Sequence, residues 1–563
     1  MPVNESLSAF FGWFGEFPFP GPARLYDRKI MNLRRIALLV AALGVVVAVC
    51  VQYGTNLLDS AKETVTALPT PGRPPVQVVT PPPEKGGPGK SVGINVVKEN
   101  SLEGTTDWKL KSPGPQNAIE GYADRVSVDP GDAFGLYVST PARDFRVEAY
   151  RMGWYGGKQG RLVWSSSHIR GQRQADGEMT PQIYMARAPW KRSLEISTKG
   201  WPEGDYRLKL VSAAGHDRWV PLTVRSKSAE GRSVFINAVA TWAAYNSWGG
   251  ANIYGGVKGY SDRARKVSFD RPYAGAGDGL FGWHELPMLT LAERMGIPLA
   301  YGTSLELDSD PGRFRGARGM IFPSHDEYWS SGMRTNTIAL RDKGVNLAFF
   351  GANNAYRHVR FEASPLGRER VVTCYKDASE DPMSLTNADE ATKQWRQAPN
   401  PRPEASFLGI QYEWAGVLAP YVVTDPDAWI YKGTGARAGS QYPGLVRSEF
   451  DRVFSDADTP RPIQVLSNSP VVINGRDKSF ANSTYYTAAS GAGVFSAGTL
   501  GWTCAVDANP CWGKLPKVTG KFATKVAENI IGAFQSGPAA KAHPAVDNYD
   551  QYARPTGRFR YNM

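Results

Sequence analysis

Near Arg232 the spacing of apolar residues changes, and this change constrains the fold more than any other feature of the chain. Upstream, from about 93 to 225, apolar and polar residues alternate in short runs. RVSVDPGDAFGLYVST alternates around Pro130-Gly131-Asp132, DFRVEAYRMGWYGG does so again, and SLEIST, GDYRLKLVSA and DRWVPLTVRS follow. Strands at roughly ten-residue spacing, separated by turn formers, predict an all-β sandwich. Downstream, SVFINAVAT, PLAYGTSLEL, ARGMIFPSHDEYWS and VNLAFFGANN read as buried strands. Residues 283–295 and 329–343 read as helices that stop at Gly296 and Gly344. Alternation of strand and helix predicts a parallel sheet with helices on its faces. Residues 356–490 read as an insertion rich in short strands, GAGVFSAGTLGW as one more buried strand, and 522–535 as a closing amphipathic helix.

The N-terminal region has a different character. Residues 36–51 carry no charge and follow Arg34 and Arg35. Extended to 31–53, the segment approaches the roughly 20 apolar residues that a spanning helix needs. The positive flank keeps residues 1–30 in the cytoplasm and sends the rest out. Val65-Thr66-Ala67 has the chemistry of a signal-peptide cleavage site but lies too far downstream, so an uncleaved anchor is expected. Whether the chain starts at Met1 or Met31 stays open. Residues 54–92 are a linker whose Pro-rich part, LPTPGRPPVQVVTPPPEKGGPGK, is extended and semi-rigid. The expected fold is therefore α/β plus all-β: a single N-terminal transmembrane helix (31–53), a β-sandwich (93–225), a flavodoxin-like parallel-sheet α/β domain (226–535) and a polar tail (536–563). The expected location is the cell membrane, single-pass, with the bulk extracytoplasmic.

Two functional classes can be weighed from composition. The net charge is +12, but Lys and Arg are dispersed, and the one tight cluster precedes the apolar run; no nucleic-acid footprint results. Sixteen Trp and 25 Tyr suit packed β-structure or a glycan-binding surface equally. Cys504 and Cys511 flank turn formers in GWTCAVDANPCWG, which in an exported chain reads as a small-loop disulfide. Neither a second Cys pair nor a nearby His completes a zinc site there.

In open α/β sheets, sites form beyond the carboxyl ends of the strands. Three segments fall there: TWAAYNSWGG (241–250), SHDEYWS (324–330) and GANNAYRH (351–358). Of six His, His284, His325 and His358 lie in this region. His325-Asp326-Glu327-Tyr328 is the densest constellation; it reads either as a site or as helix capping and packing. Glu285 reads as a first-turn charge. The turn at Gly351-Ala352-Asn353-Asn354-Ala355 has the shape of a Gly-x-Cys-x-Gly amidotransferase turn. Asn353 stands at the thiol position, which removes a thioester route and leaves Asn353 and Asn354 as hydrogen-bond donors or as turn residues.

GYADRVSVDPGDAFGLYVST, YRMGWYGG, AYNSWGG, VSFDRPY, HELP, SHDEYWS, RDKGVNLAFFGANN, CYK and SGAGVFSAGTLGW together resemble the C-terminal region of the N,N-dimethylformamidase large (beta) subunit and its bacterial homologues, from about 115 to 535. The resemblance implies an amidotransferase-like α/β domain beside a β-rich one. It also implies an amidohydrolase using one iron held by two tyrosines and a glutamate. By this likeness Tyr328 matches one tyrosine. The second falls near Pro287, so that ligand is expected to be lost, and the glutamate falls at Glu404 or Glu413. His325, Glu327 or His284 then completes the metal sphere. The metal set is Tyr328, Glu413 and His284, and the catalytic set is His325, Glu327 and Asn353, with Glu327 or His325 moving a proton. Expected partners are a small amide substrate and a small partner subunit or second copy. The competing reading is a non-catalytic surface protein holding envelope glycan.

Overall fold

The computed structural model describes residues 93–506 and 515–555, with the backbone of Val78–Val79. These residues belong to one unit spanning Val76–Met563. Its centre is a seven-stranded sheet: β1 (Ser233–Asn237), β2 (Leu299–Thr303), β3 (Gly319–Phe322), β4 (Asn346–Phe349), β5 (Ile463–Val465), β6 (Thr484–Thr487) and β7 (Gly493–Ser496), in the order β2-β1-β3-β4-β7-β6-β5. The pairs β1–β2, β1–β3, β3–β4 and β4–β7 are parallel. β6–β7 and β5–β6 are antiparallel. The strands are buried almost throughout, as sheets covered on both faces require. Helices α1 (Val239–Tyr245), α2 (Leu286–Arg294), α3 (Ser304–Ser309), α4 (Ser331–Arg341) and α5 (Lys517–Gln535) accompany the sheet.

Upstream, a four-stranded sheet (Val78–Val79, Leu194–Ser197, Ala133–Ser139, Glu120–Ala123) and a six-stranded sheet built on Asp144–Met152, Gly204–Ser212 and Asp217–Val224 share one apolar core. Leu136, Val147, Ile196, Leu208 and Leu222 lie at its centre.

The structure corrects the expected α/β plus all-β fold with a single N-terminal transmembrane helix, a β-sandwich and a flavodoxin- or amidotransferase-like parallel sheet. The sheets are mixed, with many strands and few helices. Only residues 488–492 separate β6 from β7, too short for a parallel crossover, so that end of the sheet turns antiparallel. In the upstream sheets, Val78–Val79 and Ser127–Val128 each pair parallel with their neighbours. Among the described residues no helix is long and apolar enough to cross a membrane; the segment 31–53 lies outside them. PLAYGTSLEL is not one strand either. β2 ends at Thr303, which caps α3 together with Glu306 in a reciprocal capping box.

One ion pair joins the upstream sheets to α2. Arg151, on the strand Asp144–Met152, meets Glu293 through two bonds, Nη2 to Oε1 at 2.8 Å and Nη1 to Oε2 at 3.1 Å, both side chains fully buried. Tyr301 Oη donates to Glu293 (2.7 Å), and Arg151 donates to Tyr155 Oη (2.9 Å) and to the Glu203 carbonyl (3.0 Å). Removing one member strands a buried charge, at a cost of about 3–5 kcal/mol. Arg151→Met is therefore predicted to lower the unfolding midpoint sharply. A double replacement, Arg151→Met with Glu293→Leu, should recover most of that loss.

Asp205 presents the opposite situation. Its Oδ1 accepts from Thr223 (3.0 Å) and Asn237 (2.5 Å), while buried Oδ2 has no hydrogen-bond partner. Burial raises its carboxyl to about 7, against about 3.9 in an unfolded chain. The folded form therefore holds a proton that the unfolded form loses. Its share of stability is complete below about pH 4 and is lost as the pH rises through 7. Asp205→Asn is predicted to raise the urea midpoint at pH 8 and to leave it unchanged at pH 4.

Candidate functional site

Three segments after parallel strands meet at one edge of the sheet. The loop 323–327 follows β3, the loop 350–356 follows β4, and α1 follows β1 and ends at Tyr245. The first two loops are bonded to each other. Asn354 Oδ1 accepts from Asp326 N (3.0 Å), Ala355 N donates to the Asp326 carbonyl (2.8 Å), and Tyr356 N and Arg357 N donate to the Glu327 carbonyl (3.0 and 2.8 Å). Asn353 and Ala355 adopt left-handed backbone, φ +57° and +52°, and Asn tolerates this conformation better than most residues. Asn353 N donates to Asp451 Oδ1 at 2.8 Å. At Gly351 a Cβ would fall 2.2 Å from the Ser324 carbonyl oxygen, so the backbones touch there.

At the centre lies Glu327, buried to 2% exposure. Its Oε2 accepts from Tyr245 Oη at 2.9 Å and from Tyr254 Oη at 2.5 Å, and the two phenol oxygens are 2.7 Å apart. His325 Nε2 lies 2.9 Å from Tyr245 Oη and 3.5 Å from Glu327 Oε2. Its Nδ1 faces the Ala352 carbonyl (3.2 Å) and Glu449 Oε2 (3.4 Å). Glu449 comes from the long strand Gln441–Arg452 inside the 356–490 region. Tyr254 is held by Asn252, whose Oδ1 accepts from Tyr254 N (2.8 Å) and Gly255 N (3.0 Å). Arg357 Nε stands 3.6 Å from Glu327 Oε1, and Lys376 Nζ lies 3.5 Å from the centroid of the Tyr254 ring. Tyr245, Tyr254, Arg357 and Glu449 are partly exposed.

The electrostatics follow from burial and pairing. Burial pushes both phenols well above the usual tyrosine range, and the Glu327 charge adds to this, so both keep their protons and donate to that carboxylate. Burial would depress the His325 imidazole, but Glu449 and Glu327 outweigh it and raise it to about 9. For Glu327 burial acts upward, yet the His325 bond and charge, with Lys376 and Arg357, hold it below the ordinary carboxylate range. Glu449 is raised by burial, against the pull of His325. Burial, then the charge of Arg357, bring the Lys376 amine down to about 7.

Of the residues singled out in the sequence, His325, Glu327 and Asn353 meet here. Asn353 also hydrogen-bonds Glu449 through its side chain. The His284 ring is 6.3 Å from that of His325, and its Nδ1 lies 3.0 Å from Ser324 Oγ. It sits in a π-helical turn, Phe281–Glu285, that runs straight into α2. Glu285 points away, its Oε1 accepting from Ala238 N (3.0 Å) and Trp242 Nε1 (2.8 Å) at the start of α1. The Tyr328 ring is 6.3 Å from that of Tyr245, and its buried hydroxyl has no hydrogen-bond partner. Glu413 is taken up by Arg452 and by Ser479 (2.6 Å), and Glu404 by Arg396; none of these partners belongs to the His325 cluster. Cys504 is buried in a short helix, Gly501–Ala505, and Cys511 lies outside the described residues. Sequence reasoning missed Tyr245, Tyr254, Glu449 and Lys376, although Tyr245 lies in the strand-end segment 241–250.

Among the described residues no three His, Cys, Asp or Glu side chains are placed to hold a metal. A cation here would draw on phenol oxygens. Tyr245 Oη, Tyr254 Oη and Glu327 Oε2 form a triangle with edges of 2.5, 2.7 and 2.9 Å. An octahedral face with metal–oxygen bonds of about 2.0–2.1 Å has edges of about 2.9 Å. Tyr245, Tyr254 and Glu327 are the residues that would hold such a cation if the phenols gave up their protons. Because the two loops touch at Gly351, Gly351→Ala is predicted to cost about 1–3 kcal/mol, measured by urea unfolding.

A search of curated proteins returns no sequence match. Among solved structures, a Paenibacillus sp. cycloisomaltooligosaccharide glucanotransferase complexed with cycloisomaltoheptaose aligns at 10% identity and a TM-score of 0.13. The alignment spans 24% of this chain and 18% of that one, and it carries no argument. The family model described as N,N-dimethylformamidase beta subunit-like, C-terminal, matches residues 146–514, from the first long upstream strand to the start of α5, and the chain belongs to that family.

Proposed function

We propose that this chain is a metal-dependent hydrolase of amide C–N bonds, with iron held by Tyr245, Tyr254 and Glu327. The observation that carries the reading is the oxygen triangle, whose members lie 2.5–2.9 Å apart at the carboxyl edge of the sheet. Phenols that give up their protons to a cation become hard anionic donors, and with the Glu327 carboxylate they would suit Fe(III) by charge. When bound, such a cation polarises an amide carbonyl and lowers the pKa of water. The remaining work falls to the protein. Glu449 and His325, 3.4 Å apart, form an acid–base pair beside the triangle. Glu449 Oε2, beside the His325 imidazole, would take a proton from attacking water and return it to the departing amine. Asn353 and the Ala352 carbonyl hold Glu449 and His325 in register. Thr241, 3.2 Å from Asp326 Oδ1, fixes the loop behind them.

Purified protein is expected to hold iron near one per chain. Glu327→Ala should lose it. Glu449→Gln should keep it while turnover of a small amide falls about 10²-fold or more. Absence of stoichiometric metal from the intact protein, or full turnover in Glu449→Gln, would contradict the reading.

A further inference from the structure

The wall of this cluster carries more positive charge than the cluster needs. Glu327 is already served by two phenols and by His325. Arg357 adds a guanidinium whose Nε is 3.6 Å from Glu327 Oε1, beyond hydrogen-bond reach. That Nε is buried and has no hydrogen-bond partner. Lys376 adds an ammonium over the Tyr254 ring, 7% exposed, in left-handed backbone with φ +67°. No carboxylate lies within ion-pair distance of it among the described residues. Both cations rest on aromatic faces, Arg357 at 4.7 Å from the centroid of Tyr356 and Lys376 at 3.5 Å from that of Tyr254. A ring face holds a cation without consuming its N–H donors. Glu327 is the one carboxylate these two cations share, and a single buried carboxylate leaves one of them without a counter-ion of its own.

Resting on the hydrolase reading above, we propose that the amide taken by this site carries a carboxylate, bound by Arg357 and Lys376. The planar fork of Arg357 suits a carboxylate. Lys376 supplies a point charge against its second oxygen. Arg357 and Tyr254, whose ring carries Lys376, are partly exposed, which gives a carboxylate its approach.

The test compares two ligands of one shape and different charge, N-acetylglycine and N-acetylglycinamide, by calorimetric titration of the full protein. The acid is expected to bind at least tenfold tighter. Arg357→Gln and Lys376→Met should each lose that preference, and Lys376→Arg should restore part of it, with thermal midpoints reporting that the variants fold. Equal affinities, or no binding of the acid to the unaltered protein, would overturn the proposal. Hydrolysis of both compounds is followed separately. Preferential binding of the acid without turnover keeps the anion site and rejects the hydrolase. Turnover without preference keeps the hydrolase and rejects the anion site.

Discussion

A carboxylate buried to 2% exposure must be paired, and the pairing of Glu327 organises this end of the molecule. Its demand for donors draws together residues far apart in the chain. Tyr245 comes from the end of α1, Tyr254 from the following loop, His325 from the same turn and Arg357 from beyond β4. Each brings its own backbone constraint: the Asn252 side chain holding the Tyr254 loop, and the contact at Gly351. The same low-dielectric pairing keeps the phenols protonated and the imidazole charged, while burial raises Glu449 beside them.

The remainder of the fold holds that edge still. Arg151 and Glu293 fasten α2 to the upstream sheets. The π-helical turn carrying His284, whose ring lies 6.3 Å from that of His325, runs straight into the same helix that carries Glu293. Glu285 then ties that turn to the start of α1, whose other end presents Tyr245. The upstream sheets and the edge that carries Glu327 are thus linked through one short helix.

Periodicity made much of this legible. The strands around 233, 320, 347 and 494, and the helix stops at Gly296 and Gly344, follow from buried runs and left-handed glycines. His325 and Glu327 stood out because they follow a buried strand. Other parts were hidden for physical reasons. The capping box at Thr303 competes with the strand pattern of PLAYGTSLEL. Glu449 lies 122 residues beyond Glu327 in an insertion, on a strand whose register no local pattern sets. Tyr254 reaches Glu327 through a side-chain turn at Asn252, which carries no hydrophobic period. Likeness to the family pointed to Tyr328, whereas the fold brings the phenols of Tyr245 and Tyr254 to one Glu327 oxygen.

Resonance Raman spectroscopy of the iron-loaded protein tests the central claim most directly. Coordination by Tyr245 and Tyr254 predicts a visible phenolate-to-iron band with enhanced tyrosinate ring modes. These should weaken in Tyr245→Phe and in Tyr254→Phe, and persist in Tyr328→Phe. Iron bound with no tyrosinate modes, or modes lost only in Tyr328→Phe, would contradict the account.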